Sequence, residues 1–297
     1  MTILAIDFGG TQVKSALVSE DFVLAKSLPT QSSPKTLDQA LDVIDHLVTS
    51  VEVDLSGLAI SVPGTVDTEE GVIYYGGLLR FFHGFRVKET LQAKYHLPVA
   101  ALNDGKAAAL AELATGHLKE VTNGAALVLG SGLGGGIIIN GKLFQGSHFQ
   151  AGELTFLLPL QMEKIDPSLM QGTTLSAVGL ITKVNEILAS PDLKDGLLAF
   201  KAINAKKEAV YPIFETYCRN LAITILNLQT IFDMETFVLG GGISAQPILI
   251  EEVNRQFDTV HHEIDFIGKI IKRPKIVACY HHNGANLIGA AYFLKQG

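Results

Sequence analysis

Asp7 closes the apolar run Ile-Leu-Ala-Ile and stands two residues ahead of the turn Gly9-Gly10-Thr11. A carboxylate at that place can steady a metal ion, or it can do no more than stabilise the turn through nearby backbone. Asp104 follows a second apolar run, 99–102, and Asn103, and it precedes an alanine-rich stretch. It reads as a helix cap or as a base able to take a proton from a hydroxyl. Glu153, in Ala151-Gly-Glu153, reads by itself as a solvated loop acid. Two glycine-rich stretches complete the set, Gly130 to Gly136 and Gly240-Gly241-Gly242. The exposed backbone N–H groups of the first can cradle phosphate. The second lets a flat ring or a ribose approach the backbone, or is a flexible strand-to-helix loop.

Two better-known motifs are matched only as letters. Gly130-x-Gly132-x-x-Gly135 fits the dinucleotide-binding fingerprint, but that motif must open a helix whose N-terminus holds a pyrophosphate. Here three isoleucines, 137–139, follow as a strand. Gly136 to Lys142 nearly spells a P-loop, yet Leu143 stands where Ser or Thr would meet magnesium, and Asn140-Gly141 signals a hairpin turn.

The elements that carry these residues follow from periodicity. Residues 3–8 and 13–18 are apolar runs around a glycine turn and predict a β-hairpin. Leu37, Leu41, Ile44 and Val48 recur at helical spacing over 37–50. A buried strand over 58–62 ends at Pro63-Gly64, a helix spans 87–95 and a strand 99–102. The next helix, 106–113, takes Asn103 or Asp104 as its N-cap. A second cycle opens with a strand over 125–129, the glycine turn Gly130–Gly136 and a returning strand over 137–139. This repeats 3–18, with Asp7 and Gly130 at corresponding places. Helices around 174–189 and 206–230, a strand over 236–239 and a last helix over 284–295 complete the chain. Two related α/β halves are expected, divided near residue 117: 1–117 with 281–297, and 118–280.

Composition narrows the function classes. With 47% hydrophobic residues and a net charge of −7, the chain can build real cores and is no counterion-release nucleic-acid binder. Cys218 and Cys279 are too few for a disulfide framework or a cysteine zinc cluster, and they read as buried fillers. The pairs His261-His262 and His281-His282 lack metal-ligand spacing and read as surface residues. The N-terminal residues lack a basic region and long apolar core, and the most apolar window, 125–139, carries five glycines. A cytoplasmic protein without membrane or nucleic-acid partners is the expectation.

Taken together, Asp7-Phe-Gly-Gly-Thr11-Gln-Val-Lys14, Pro63-Gly64-x-Val66-Asp67, Asn103-Asp104, Leu129-Gly-Ser-Gly-Leu-Gly-Gly-Gly136, Ala151-Gly-Glu153, Gly240-Gly-Gly242 and Gly289-Ala-Ala291 stand in the order seen in ROK-family sugar kinases. The resemblance covers nearly the whole chain. It implies a two-domain actin-like/RNase H-like ATPase fold, with ATP and sugar meeting in the cleft between domains. Asp7, Gly9, Gly10, Thr11 and Lys14 match its first phosphate motif. Gly130, Ser131, Gly132, Gly134 and Gly135 match the second, and Gly240, Gly241 and Gly242 the nucleoside side. Pro63, Gly64, Asn103, Asp104 and Glu153 match sugar-binding positions, with Asp104 as the catalytic base. Magnesium would bridge the β- and γ-phosphates with Asp7 reaching it through water. Phosphoryl transfer needs positioning, charge neutralisation and a proton acceptor. A carboxylate at a helix start should stay ionised for that task. The family also suggests a homodimer.

The departures from the family point to the substrate. Its usual histidine after Ala-Gly-Glu is Phe156 here, and none of residues 157–175 is cysteine, so its zinc site is not expected. Its Asn-Leu-Pro-Gly-Trp segment has become Gly76 to His83, and Lys106 replaces a usual Asn. An aromatic in place of a donor removes recognition of a free anomeric hydroxyl and offers an apolar platform. Phe81, Phe82 and His83 would line the extension. This pattern resembles the zinc-free β-glucoside (cellobiose) kinase branch. The alternatives are a glucokinase in which Phe156 only fills space, and a sugar-binding regulator; the family's repressors carry a helix-turn-helix ahead of a motif that here starts by residue 4.

Overall fold

The computed structural model describes residues 2–159 and 164–296. Strands β1 (Ile3–Phe8) and β2 (Gln12–Val18) form the predicted antiparallel hairpin, edged by short β3 (Leu24–Ser27) and β4 (Gln31–Ser32). On the other side β5 (Gly57–Val62) and β9 (Val99–Asn103) add in parallel, giving the order β3-β2-β1-β5-β9. A small antiparallel sheet of β6 (Thr65–Asp67), β7 (Val72–Tyr74) and β8 (Phe85–Arg86) follows β5 in the chain. The second large sheet contains β10 (Gly124–Leu129), β11 (Leu133–Ile139), β12 (Lys142–Phe144), β13 (Thr236–Gly240) and β14 (Lys275–Ala278). Its order, β12-β11-β10-β13-β14, repeats the mix of antiparallel and parallel pairs in the first.

The registers correct two details of the repeat. Asp7 pairs with Lys14 and Ser61, and the residue in its place on the second sheet is Val128, paired with Gly134 and Gly240. Gly130 corresponds instead to Gly9, because both open the turn. The Gly9 N–H donates to the Gln12 carbonyl at 3.0 Å and the Gly130 N–H to the Gly132 carbonyl at 3.1 Å. The second turn is also shorter than the glycine run, since β11 starts at Leu133. Gly134, Gly135 and Gly136 are strand residues; at Gly136 a Cβ would come within 2.4 Å of the Ala109 Cβ. Glycine there serves close backbone packing rather than turning.

Helices α1 (Leu37–Ser50) and α2 (Val87–Tyr95) cover the outer face of the first sheet, packing on Leu4, Ile6 and Phe8. The alternate residues Ile3 and Ala5 face a central layer of α3 (Asp104–Thr115) and α10 (Ala285–Gln296), and Ala126 and Val238 meet the same layer from the second sheet. Between these in the chain lie α4 (Gln171–Thr174), α5 (Ala177–Ile187), α6 (Gly196–Asn204), α7 (Tyr211–Phe232), α8 (Pro247–His262) and α9 (Asp265–Ile270). Helices α5 to α8 pack on the far face of the second sheet. The expected helix over 174–189 breaks at Leu175-Ser176, where the Ser176 hydroxyl caps α5 by accepting from the Gly179 N–H at 3.0 Å. Helix α7 begins later than 206 because Lys206 is left-handed, at φ 49°. Among the described residues no helix is long and apolar enough to cross a membrane.

The central helices are clasped at one end. Glu112 of α3 is fully buried and its Oε1 accepts from the Cys279 thiol at 3.0 Å and from the Tyr280 and His281 N–H groups at 2.8 and 3.3 Å. Its Oε2 accepts from the His117 N–H at 2.9 Å. At the helix crossing, a Cβ on Gly289 of α10 would fall 1.7 Å from the Ala107 carbonyl oxygen of α3. Two histidines expected at the surface are not there. His261 lies one turn beyond Phe257 on α8, stacks on it at 5.6 Å and is buried, with Nε2 bonded to the Ile271 carbonyl at 2.7 Å. His281 is half-buried with Nε2 at 3.0 Å from the Thr115 hydroxyl. His262 and His282 are exposed, and Cys218 and Cys279 are buried as expected.

Candidate active site

A cavity of about 1090 Å³ opens beyond the carboxyl ends of the parallel strands of both sheets. At the start of α3, Asn103 is the N-cap: its Oδ1 accepts from the Lys106 N–H at 3.1 Å, and its Nδ2 donates to the Gly64 carbonyl at 2.9 Å. This resolves the choice of cap in favour of Asn103. It also frees Asp104, whose Oδ1 accepts from the N–H of its neighbour Gly105 at 2.8 Å. Asp104 and Asn103 line the cavity with Pro63 and Gly64 from the end of β5.

Facing them are Gly10 from the first hairpin turn and Gly130, Ser131, Gly132, Gly134 and Gly135 from the second. Glu153 and Phe156 enter from the loop after β12, and Phe156 is 63% exposed. His83 stands at the rim, stacked on Tyr75 at 4.6 Å, with its Nδ1 accepting from the Tyr75 N–H at 3.3 Å. The cavity therefore gathers Gly10 of the first hairpin turn, the second hairpin turn and all seven residues expected at the sugar.

Other expected residues stand apart from the cavity wall. Asp7 is buried by its place in β1, whose pleat turns it toward α10. Its Oδ1 accepts from the Ser61 hydroxyl at 2.8 Å and from the Asn286 amide at 3.2 Å. Lys14 is half-buried opposite it on β2, while Gly9 and Thr11 are held from outside by Ser33. Gly240 ends β13 beside Val128. Gly241 has φ +93° and lies so close to the Leu129 carbonyl that a Cβ would sit 2.0 Å from its oxygen, whereas Gly242 faces open space. Phe82 is core, not rim: it packs edge-on against Phe8 at 5.3 Å. Phe81 lines a separate open cavity of about 530 Å³ that meets the first at His83.

The acids are coupled. Burial, with the Asp7 and Glu153 carboxylates adding to it, raises the Asp104 pKa to about 7, and the Gly105 N–H opposes this only in part. The expectation of a fully ionised Asp104 thus gives way: desolvation and like charge outweigh the helix end. Burial also raises the Asp7 pKa, against the Ser61 and Asn286 hydrogen bonds and the Lys14 charge. Glu153 is raised by burial and drawn back by Lys106.

Several wall residues were not anticipated. Tyr75, Leu78 and Arg80 form an exposed rim, with Leu78 leaning over Gly10 so that a Cβ there would lie 2.7 Å from its Cδ1. The pair Gly76-Gly77, between two apolar residues on either side, was the available signal. Thr155 fastens the Glu153 loop to β11, its hydroxyl 3.1 Å from both the N–H and the carbonyl of Leu133. Gln150, Met170, Gly172 and Thr173 also face the cavity and carried no local signal.

The comparisons with known proteins agree with this architecture. The ROK family model matches residues 3–297. A protein of Listeria innocua named beta-glucoside kinase is 32% identical over 302 residues, covering 100% of this chain and 98% of the relative. One of Klebsiella pneumoniae with the same name is 29% identical, covering 100% and 97%. A ROK family protein from Streptococcus pneumoniae in complex with sucrose superposes with TM-score 0.86 at 33% identity, covering 100% of this chain and 98% of that one. A Streptomyces griseus ROK glucokinase bound to glucose and AMPPNP superposes with TM-score 0.86 at 22% identity, covering 100% of both, and so shares the fold. With this match over its whole length, and with the two-domain actin-like ATPase fold of these structures, the chain belongs to the ROK family.

Proposed function

We propose that this protein is an ATP-dependent carbohydrate kinase that phosphorylates the C6 hydroxyl of a glucosyl unit in a β-glucoside such as cellobiose. The observation that carries the reaction is Asp104, free of the capping role and facing a cavity walled by both hairpin turns. The relatives named beta-glucoside kinases support the substrate class. So does the exposed Phe156, an apolar face where a free anomeric hydroxyl would need a donor.

Each residue then has a task. Asn103 and Glu153 hold the sugar hydroxyls, and Asp104 accepts the C6 proton as the oxygen attacks the γ-phosphorus. Backbone N–H groups of the turns at Gly10 and at Gly130, Ser131 and Gly132 receive phosphate oxygens. Of Gly240 to Gly242, Gly242 is open to receive the nucleoside. Dividing the chain into 1–117 with 281–297, and 118–280, sets the cavity along the join, because the sheets occupy opposite sides of that division.

A magnesium ion fits this set. It binds through one or two carboxylates plus phosphates and water, and both hydrogen bonds that Asp7 accepts fall on Oδ1. Asp7 would hold it through water from behind the cavity wall, and the ion would supply charge neutralisation to the phosphates. Among the described residues no three His, Cys, Asp or Glu are grouped to hold a metal by themselves.

Substrate choice is tested by comparing kcat/KM for cellobiose and for glucose. Cellobiose is expected to be preferred at least about tenfold, the worth of roughly 1.4 kcal/mol from covering Phe156. A clear preference for glucose overturns the glucoside reading and leaves a glucokinase. The base must be deprotonated, so kcat/KM is expected to fall about tenfold per pH unit on the acid side of a pKa of about 7 and to level off above it. A flat profile from pH 5.5 to 8 removes Asp104 from that role.

A further inference from the structure

Lys106 is 1% exposed, two residues along α3 from Asp104. A buried ammonium is expensive unless its donors are used and a counter-charge is near. Its Nζ donates to the Phe149 carbonyl at 2.6 Å. The Glu153 carboxylate is its charged neighbour, and each pulls the other toward the ionised form. Burial nonetheless brings the Lys106 pKa down to about 8.

The segment that Lys106 holds is unusual backbone. Gly146, Phe149 and Gly152 all have positive φ, at 73°, 56° and 89°, and Phe149 is the non-glycine among them. Such a conformation is strained for an ordinary residue and persists where surrounding structure imposes it. Two ties bind this loop to elements of the first half of the chain: Lys106 to the Phe149 carbonyl, and Thr68 to the Gln145 side chain at 2.8 Å. The loop ends at Gly152 and Glu153, which reach the cavity.

We propose that Lys106 is a positioning residue for glucoside binding: it fastens the 145–153 loop to the helix that carries Asp104 and sets Glu153 toward the sugar. This rests on the assignment of the cavity to a sugar. The Lys106 ammonium bonds the loop that carries Glu153, so its effect belongs to the sugar side. Methionine is close to lysine in length, and the double variant with Glu153→Gln removes both charges of the buried pair, a replacement that folding tolerates.

The test is steady-state kinetics with cellobiose and ATP, backed by calorimetric cellobiose binding without nucleotide, on the wild type, Lys106→Met, Glu153→Gln and the double variant. Lys106→Met is expected to raise the cellobiose KM and Kd about tenfold or more, with KM for ATP changed less than about twofold and kcat by less than about threefold. In the Glu153→Gln background the same change is expected to add little, because Lys106 acts on the sugar through Glu153. Lys106→Gln, which keeps a donor but no charge, is expected to fall between and serves if the methionine variant does not fold. An unchanged cellobiose Kd in a folded Lys106 variant, or full additivity with Glu153→Gln, overturns the proposal. Wild-type protein that neither binds nor phosphorylates glucosides or glucose overturns the sugar-kinase reading itself.

Discussion

Asp104→Asn is expected to lose about 100- to 10,000-fold in kcat, the usual worth of a positioned general base, while cellobiose affinity stays within about threefold. The amide keeps the oxygen that accepts from Gly105 and can still bond the C6 hydroxyl, so binding survives. It cannot take the proton. The same substitution should also make the protein more stable. In the folded protein the Asp104 pKa is about 7, above its ordinary value of 3.8. Ionising it therefore opposes folding, with a penalty that is absent at low pH and grows as pH rises from the unfolded value through the folded one. At pH 8 the asparagine variant should melt higher than the wild type by about 2–4 °C, after screening at the cavity surface reduces the gain to about 1 kcal/mol. Near pH 4 the two should melt together. Loss of activity with a gain in stability marks a functional carboxylate and separates it from a structural one. Near-normal turnover in the variant excludes Asp104 as the base.

The second large effect is structural and lies at the other end of the same helix. Glu112→Ala removes the acceptor for the Cys279 thiol and for the N–H groups of Tyr280, His281 and His117. Each buried donor left unpaired costs about 1–3 kcal/mol. Some of the four will find water, so a loss of about 3–5 kcal/mol is expected, with a fall in Tm of about 10 °C. Glu112→Gln keeps Oε1 as an acceptor and should lose about 1–2 kcal/mol. Thermal unfolding followed by circular dichroism decides; an alanine variant melting within about 2 °C of the wild type would show that the clasp adds nothing. The clasp matters to the site because α3 carries Asp104 about two turns away and is buried along most of its length between the sheets.

Much of this was legible in the residues. The alternation of Ile3, Ala5 and Asp7 with Leu4, Ile6 and Phe8 places Asp7 on the face that meets α10, and the strand period alone carries that information. Asn103-Asp104 before an alanine-rich stretch announced both a cap and a carboxylate, and the structure divides the roles between them. Glycine was the misleading signal. Gly134 to Gly136 read as a turn because glycine usually marks one, yet they lie in β11, where a Cβ on Gly136 would strike Ala109 of α3 and one on Gly135 would meet Leu154 and the Gly152 carbonyl. Nothing local separates those two uses; the difference lies in the earlier helix α3 and the later Gly152–Leu154 segment. The same limit hid the rim. Tyr75, Leu78 and Arg80 join the cavity through the loop after β7, and Thr155 and Gly172 through their mutual packing, so their proximity exists only in the fold. His261 read as surface because its partner on α8 and the Ile271 carbonyl lie outside its own pair.

The central claim is that Asp104 meets the C6 hydroxyl while the anomeric carbon faces Phe156. A crystal structure of the protein with cellobiose and a non-hydrolysable ATP analogue tests it directly. The C6 oxygen is predicted within about 2.6–3.2 Å of the Asp104 carboxylate, with the γ-phosphate in line behind it and the second glucose against the Phe156 ring. A sugar bound with C6 away from Asp104, or with its second unit pointing away from Phe156, would contradict the account.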